Sequence, residues 1–110
     1  MNESTENTLI PELILSSFTN IEILNPKDFG IRKKVNIYTA NNKEENPTII
    51  FHIIQKSRFL QKDVDKIEDL NEIIINKMGV KQYKKAIIIN PDLCSKAKNK
   101  LELEEWIILS

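Results

Sequence analysis

The stretch that decides the fold runs from Thr48 to Lys56 and reads Thr-Ile-Ile-Phe-His-Ile-Ile-Gln-Lys. Pro47 precedes it, β-branched and aromatic residues fill it, and Lys56-Ser57-Arg58 forms its polar end. A strand that is buried on both faces has this composition, because neither face meets water. The pattern therefore predicts the central strand of a sheet, with any chemistry at its polar end.

Periodic apolar residues outline further elements on both sides of this strand. Helical spacing predicts helices over 8–19 and 59–79, and a last helix that has Asn90 as its cap and Pro91 at its first position. Shorter apolar runs predict strands over 21–24, 33–39, 83–90 and 106–109. A helix follows the central strand, so the next strand should return parallel to it through a right-handed crossover. The predicted fold is α/β, three α/β/α layers around a five-stranded mixed sheet, in the order α-β-β-β-α-β-α-β.

The length and composition of the chain fit one soluble globular domain over 1–110, with a flexible start at 1–7. Hydrophobic residues make up 41% and charged residues 29%, which excludes a disordered or membrane-spanning chain. The polar start has no signal-peptide pattern, and the single cysteine, Cys94, cannot form an internal disulfide. We therefore expect a cytoplasmic protein. Basic and acidic residues balance at 16 each, so a nucleic-acid site has to come from local clustering.

The predicted order resembles the restriction-endonuclease-like nucleases, the PD-(D/E)xK superfamily, over nearly the whole chain. That resemblance implies a divalent metal between an acidic residue on the second strand and the Glu of a Glu-x-Lys on the third. The second strand here reads Lys33-Lys34-Val35-Asn36-Ile37-Tyr38, and the third ends His52-Ile53-Ile54-Gln55-Lys56. The matching positions are then Asn36, Ile54 and Lys56, of which the lysine alone fits.

An amide and an alkyl group give Mg²⁺ almost nothing to bind, because this ion is held through carboxylate charge. The sequence therefore predicts a degenerate nuclease site, no metal and no cofactor. Gln55 matches a Gln-x-Lys variant only if a bulge shifts the register of the strand. A lesser alternative is an Mg²⁺-dependent nuclease with relocated carboxylates, in which Glu12 and Asp28 act with Lys56.

Basic residues collect where strands of the predicted sheet end, the place where ligands of open α/β sheets bind. Paired with phosphates, they would form a weak contact surface for DNA or RNA. A solvated rim of mixed charge is the competing interpretation. The candidate nucleic-acid-binding residues are Lys33, Lys34, Lys56, Arg58 and Lys96.

Signals for other catalytic or ligand-binding sites are weaker. Cys94 near a helix start and His52 on the central strand are the only thiol and imidazole, and two residues do not make a catalytic triad. A packed cysteine and histidine are the simpler interpretation. The chain also has no second histidine or cysteine for zinc and no glycine-rich phosphate loop.

Two functions remain open. The first is a non-catalytic, nuclease-like domain that binds nucleic acid weakly through the basic residues. The second is a protein-interaction or homodimerisation module, in which the closing strand pairs with a second chain and Trp106 and Ile108 form the interface.

Overall fold

The computed structural model describes residues 10–31, 35–79, 83–90 and 92–109. The helices are α1 (Glu12–Ser17), α2 (Gln61–Met78) and α3 (Ser95–Leu103). The strands are β1 (Thr19–Leu24), β2 (Asn36–Asn41), β3 (Pro47–Ile53), β4 (Lys84–Ile89) and β5 (Trp106–Leu109), and a short 3-10 helix, Pro26–Phe29, follows β1. This order confirms the predicted α/β fold.

The five strands form one mixed sheet in the order β1-β2-β3-β4-β5. The β1–β2 and β2–β3 pairs are antiparallel, whereas the β3–β4 and β4–β5 pairs are parallel. β3 is therefore the middle strand, as its composition predicts. β1, β3, β4 and β5 all end where β2 begins, and we call this side of the sheet its carboxyl end.

Apolar side chains cover both faces of the sheet in two clusters. The larger cluster joins α2 and α3 to one face, and the smaller joins α1 to the other. Alternation along β3 explains the division, since successive side chains of a strand point to opposite faces. Ile49, Phe51 and Ile53 belong to the α2/α3 face, and Ile50 belongs to the α1 face.

Helix α2 begins and ends on strong local signals. The backbone N–H of Leu60 donates to the Asp63 carboxylate at 2.8 Å, which satisfies one of the free groups at the helix start. Gly79 ends the helix at a φ of 73°, and its N–H donates to Ile75. This left-handed cap is a conformation that only glycine adopts without strain.

Several predicted boundaries are wrong, among them the first two strands, which cover Thr19–Leu24 and Asn36–Asn41 instead of 21–24 and 33–39. The first helix covers Glu12–Ser17 instead of 8–19, because Pro11 is its N-cap and Phe18 is already extended. β3 ends at Ile53, three residues before Lys56. The last helix starts at Ser95, so Asn90 is not its cap, and Pro91 lies outside the described residues.

Cys94 caps the last helix in place of Asn90. Its Sγ accepts a hydrogen bond from the backbone N–H of Ala97 at 3.3 Å. The chain before the helix is held by a bridge between Phe59 and Leu93, which keeps 92–94 extended. A helix cannot begin while these backbone groups are engaged elsewhere, which explains the later start.

Candidate functional site

Two polar side chains face each other at the carboxyl end of the sheet. Asn36, the first residue of β2, is the cross-strand partner of His52 on β3. Both residues alternate with members of the α2/α3 cluster, so their side chains lie on the α1 face. Directly opposed residues of an antiparallel pair are close enough to act on one ligand, at a Cα separation of about 4.5–5.5 Å.

The imidazole of His52 is half-buried, and one of its two ring nitrogens makes no hydrogen bond within the described residues. Its Nδ1 is buried and has no hydrogen-bond partner among the described residues. Burial lowers the pKa of His52, and a hydrogen bond with the side chain of Asn90 offsets part of this change. The imidazole is therefore neutral at neutral pH, and the site carries no charge from this side chain.

The chain after β3 forms a short loop, residues 54–58, which we call the β3 loop. Gln55 organises it, since its Nε2 donates to the carbonyls of Ser57 and Arg58, each at 3.2 Å. These bonds bend the backbone and end the strand, because the carbonyls are used within the loop. Ile54, Lys56 and Arg58 remain exposed around the half-buried Gln55.

Backbone hydrogen bonds join the β3 loop to the loop after β4. Asn90 N–H donates to Ile53 at 3.2 Å, Phe59 N–H donates to Asp92 at 2.8 Å, and Cys94 N–H donates to Phe59 at 3.2 Å. The Phe59 side chain is fully buried beneath them. The two loops are therefore fixed at both ends, and the carboxyl end presents a preformed surface.

Three of the five predicted nucleic-acid-binding residues lie on this surface. Lys56 and Arg58 are exposed in the β3 loop, and Lys96 is exposed in the first turn of α3. Lys33 and Lys34 lie outside the described residues. Lys100, farther along α3, pairs with Asp65 of α2 and so belongs to the contact between the two helices.

A cavity opens beside Asn36, between the end of β1 and the start of β2. Its volume is about 410 Å³. We call it the Asn36 cavity. The described residues that line it are uncharged: Ile23, Leu24, Asn25, Pro26, Asn36, Ile37 and Tyr38.

Comparison with known proteins finds one similar solved structure. No protein-family model and no curated protein matches the chain. The structure of EndoMS, a nuclease, in its apo form matches with a TM-score of 0.61 and 20% sequence identity. The match covers 100% of this chain and 46% of the EndoMS chain, so this chain spans about half its length. The fold is nuclease-like.

Of the three positions that the resemblance indicates, Asn36 alone lies within a strand. Asn36 faces His52, whereas Ile54 and Lys56 lie beyond the end of β3. An amide and a neutral imidazole therefore stand where two neighbouring strands approach, and neither is the carboxylate that Mg²⁺ requires. The residues present at this pair do not fit a magnesium site.

The two alternative carboxylates lie apart from each other. Asp28 is in the 3-10 helix that packs against α2, where its carbonyl accepts from Lys77 Nζ at 2.8 Å. That is the sheet face opposite Asn36 and His52. Glu12 is exposed at the start of α1, on the other face. Within the described residues, no three His, Cys, Asp or Glu side chains are grouped so that they could hold a metal ion.

The predicted interface residues face the core. Trp106 is 4% exposed, its ring meets Phe51 edge-on at 5.5 Å, and its Nε1 donates to Glu68. Ile108 packs against the same cluster. Ile107 between them is 47% exposed, so the closing strand offers this side chain to solvent. In the described residues no helix is long and apolar enough to cross a membrane.

Proposed function

We propose that the chain is a nuclease-like domain that binds nucleic acid weakly and does not cleave it by a metal-dependent mechanism. The observation that carries the proposal is the Asn36–His52 pair, which occupies the end of the sheet without a carboxylate. Hydrolysis of a phosphodiester by a bound metal needs that charge to hold the ion beside the scissile phosphate. A neutral pair supplies hydrogen bonds but no such charge.

Binding is supported by the preformed surface at the carboxyl end. Lys56 and Arg58 are exposed on a loop that internal hydrogen bonds hold in place. Arginine and lysine on an ordered loop lose little conformational entropy when they pair with a phosphate. Phosphate contacts of this kind position nucleic acid without reading its sequence, so we expect little sequence preference from them.

The strength of binding should be modest. The chain has no net charge, and Asp92 is exposed near the same loops. Among the described residues, three cations at this surface, Lys56, Arg58 and Lys96, are available to release counterions, which supply much of the non-specific affinity for nucleic acid. We expect dissociation constants in the micromolar range or weaker, as is usual for non-specific binding at physiological salt, roughly 10⁻⁴ to 10⁻⁶ M.

Replacing the two loop cations together should weaken binding and its salt dependence. For Lys56→Gln with Arg58→Gln, the slope of log affinity against log salt for a single strand should fall by about 1.4, since each lost phosphate contact removes about 0.7. Fluorescence anisotropy over a salt series measures the slope. Gel analysis of the same samples with Mg²⁺ or Mn²⁺ should show intact strands.

The matched control removes two cations from the opposite end of the sheet. Lys43 follows β2 and Lys84 begins β4, and both are exposed. Lys43→Gln with Lys84→Gln makes the same charge change and should leave the salt slope unchanged. Both double variants should keep the free energy of unfolding within about 0.5 kcal/mol per substitution. Equal weakening by the two variants would contradict a site at the carboxyl end.

The exposed edge of β5 favours a second candidate function, association with another chain. In the part of the chain that the structure describes, β5 pairs with β4 alone. Its sequence, Trp106-Ile-Ile-Leu109, carries no charged residue, and Ile107 is exposed. Such an edge can pair with a copy of itself about a two-fold axis. Because Trp106 is buried, Ile107 and the free backbone groups would form the contact.

A lysine at Ile107 should prevent this pairing. Light scattering over a concentration series should show a wild-type dimer that Ile107→Lys converts to a monomer, because a buried ammonium at the contact is unfavourable. Ile73→Lys on α2 is the control, since Ile73 is similarly exposed at 44%. A wild type that stays monomeric at high concentration would exclude the β5 dimer and leave nucleic-acid binding as the function.

A further inference from the structure

We infer that the Asn36 cavity receives one unpaired nucleobase, so that the ligand of this domain is a single strand. The inference rests on the proposed function, because it names the form of nucleic acid that the carboxyl end binds. It starts from the cavity, which has a volume of about 410 Å³. Pockets for small organic ligands usually enclose about 300–1,000 Å³, so the space suits one planar ring.

The chemistry of the lining favours a base over a phosphate. None of the described residues that line the cavity is charged, and they combine apolar walls with the amides of Asn25 and Asn36. Among these lining residues, a phosphate would lose its hydration without gaining a cation. A nucleobase, in contrast, is neutral, has two apolar faces and carries its donors and acceptors along one edge.

The two amides suit the edge of a base. Asn25 Oδ1 accepts from the backbone N–H of Lys27 at 3.1 Å, which fixes the side chain; among the described residues its amide nitrogen has no hydrogen-bond partner. Asn36 is held at the first position of β2 by its pairing with His52. An asparagine amide offers a donor and an acceptor side by side, the pattern that matches N6 and N7 of adenine.

The position of the cavity agrees with the cations nearby. Asn36 faces His52, and Lys56 is the fourth residue after His52, a distance of at most about 14 Å along an extended chain. A strand whose phosphates contact Lys56 and Arg58 could therefore place a base in the cavity. In an intact duplex the bases are stacked and paired, and they cannot enter a cavity without being extruded.

Net charge gives an independent reason for base contacts. With 16 basic and 16 acidic residues, the chain gains no attraction from net charge, so counterion release is limited to local phosphate contacts. A base held by hydrogen bonds and apolar contact adds affinity that does not depend on salt. The cavity thus adds affinity to the phosphate contacts of Lys56 and Arg58.

The test compares strands that have the same phosphates with and without bases. A labelled oligo-deoxyadenosine strand, an abasic strand of equal length and a duplex are titrated with the full chain in anisotropy measurements. We expect the deoxyadenosine strand to bind about tenfold more tightly than the abasic strand, the effect of one good amide–base contact. The duplex should bind no better than the abasic strand.

Asn36→Leu should abolish the tenfold preference and leave binding of the abasic strand unchanged, because it replaces the amide with an apolar group of similar size. Lys56→Gln with Arg58→Gln should instead weaken the binding of both the deoxyadenosine strand and the abasic strand. If Asn36→Leu does not fold, Asn36→Ala removes the same amide without apolar bulk and provides the same comparison. Thermal unfolding of each variant identifies those that are folded at the assay temperature.

The outcomes separate this inference from the proposed function. Equal affinity for the deoxyadenosine and abasic strands would overturn the base cavity and leave phosphate binding intact. No binding to any strand at low salt would overturn the proposed function itself. Binding of free deoxyadenosine as tightly as of the strand would also overturn the inference, since it would make a nucleoside the ligand.

Discussion

Replacing Trp106 with alanine should lower the free energy of unfolding by about 3–5 kcal/mol. The side chain is 4% exposed and packs edge-on against Phe51, with their rings 76° apart. Its removal leaves a cavity between the sheet and α2, because the surrounding helices and strands can close it only in part. For a domain whose total stability is about 5–15 kcal/mol, this change would leave a large unfolded fraction at moderate temperature.

Polar contacts around the indole add to this effect. Its Nε1 donates to Glu68, which also accepts from Lys85 Nζ at 3.0 Å, and that ammonium lies 5.1 Å from the centre of the ring. The indole therefore joins α2, β4 and β5. Trp106→Phe keeps most of the packing and loses the N–H, so we expect a loss of about 1–2 kcal/mol.

Urea unfolding followed by circular dichroism measures these losses, since Trp106 is the only tryptophan and fluorescence would disappear with it. Leu103→Ala is the control, because Leu103 is 82% exposed just before β5 and its removal should change stability by less than about 0.5 kcal/mol. A loss below about 1 kcal/mol for Trp106→Ala would contradict the buried position and favour the predicted role of Trp106 as a surface anchor.

The order of elements could be predicted because several local signals agree. The apolar runs around Phe51 and Ile87 are short and β-branched, and a helical period separates them. Gly79 and the proline at 47 fall at the boundaries of elements. Each signal is weak, but their agreement restricts the fold to one arrangement.

The ends of β3 and of the last loop could not be predicted in the same way. Ile54 and Gln55 continue the strand pattern, and the strand stops because Gln55 bonds to carbonyls within the loop. Asn90 before a proline is a good helix start in sequence. The backbone pairing of Phe59 with 92–94 prevents it, and that pairing joins residues far apart in the chain.

The Asn36–His52 pair depends on the register of a hairpin. Asn42 Oδ1 accepts from the N–H groups of Glu44 and Asn46, each at 2.9 Å, and this closes the turn with Asn41 opposite Pro47. That closure decides which residue of β3 faces Asn36. Motif spacing alone indicates Ile54, and it cannot show that the turn places His52 opposite Asn36.

Placing a carboxylate pair at this position should create an Mg²⁺-dependent protein. In Asn36→Asp with His52→Glu, two carboxylates face each other across neighbouring strands, and their repulsion in a half-buried place should destabilise the fold by about 1–3 kcal/mol. Mg²⁺ between them should reverse the loss, by about 1.4 kcal/mol when its concentration is ten times the dissociation constant. Thermal unfolding with Mg²⁺ and with a chelator measures both effects.

The wild type should give the same unfolding temperature with Mg²⁺ and with the chelator, and should cleave neither DNA nor RNA, because an amide and a neutral imidazole do not hold this ion. Asn36→Asp with His52→Gln is the matched control: it adds one carboxylate and should respond to Mg²⁺ much less than the pair. Wild-type cleavage that Lys56→Ala removes would mean that other carboxylates bind the metal. Glu12 would then be the first to replace, since it begins the helix on the same face as Asn36, and Asp28 the second, because it lies across the sheet.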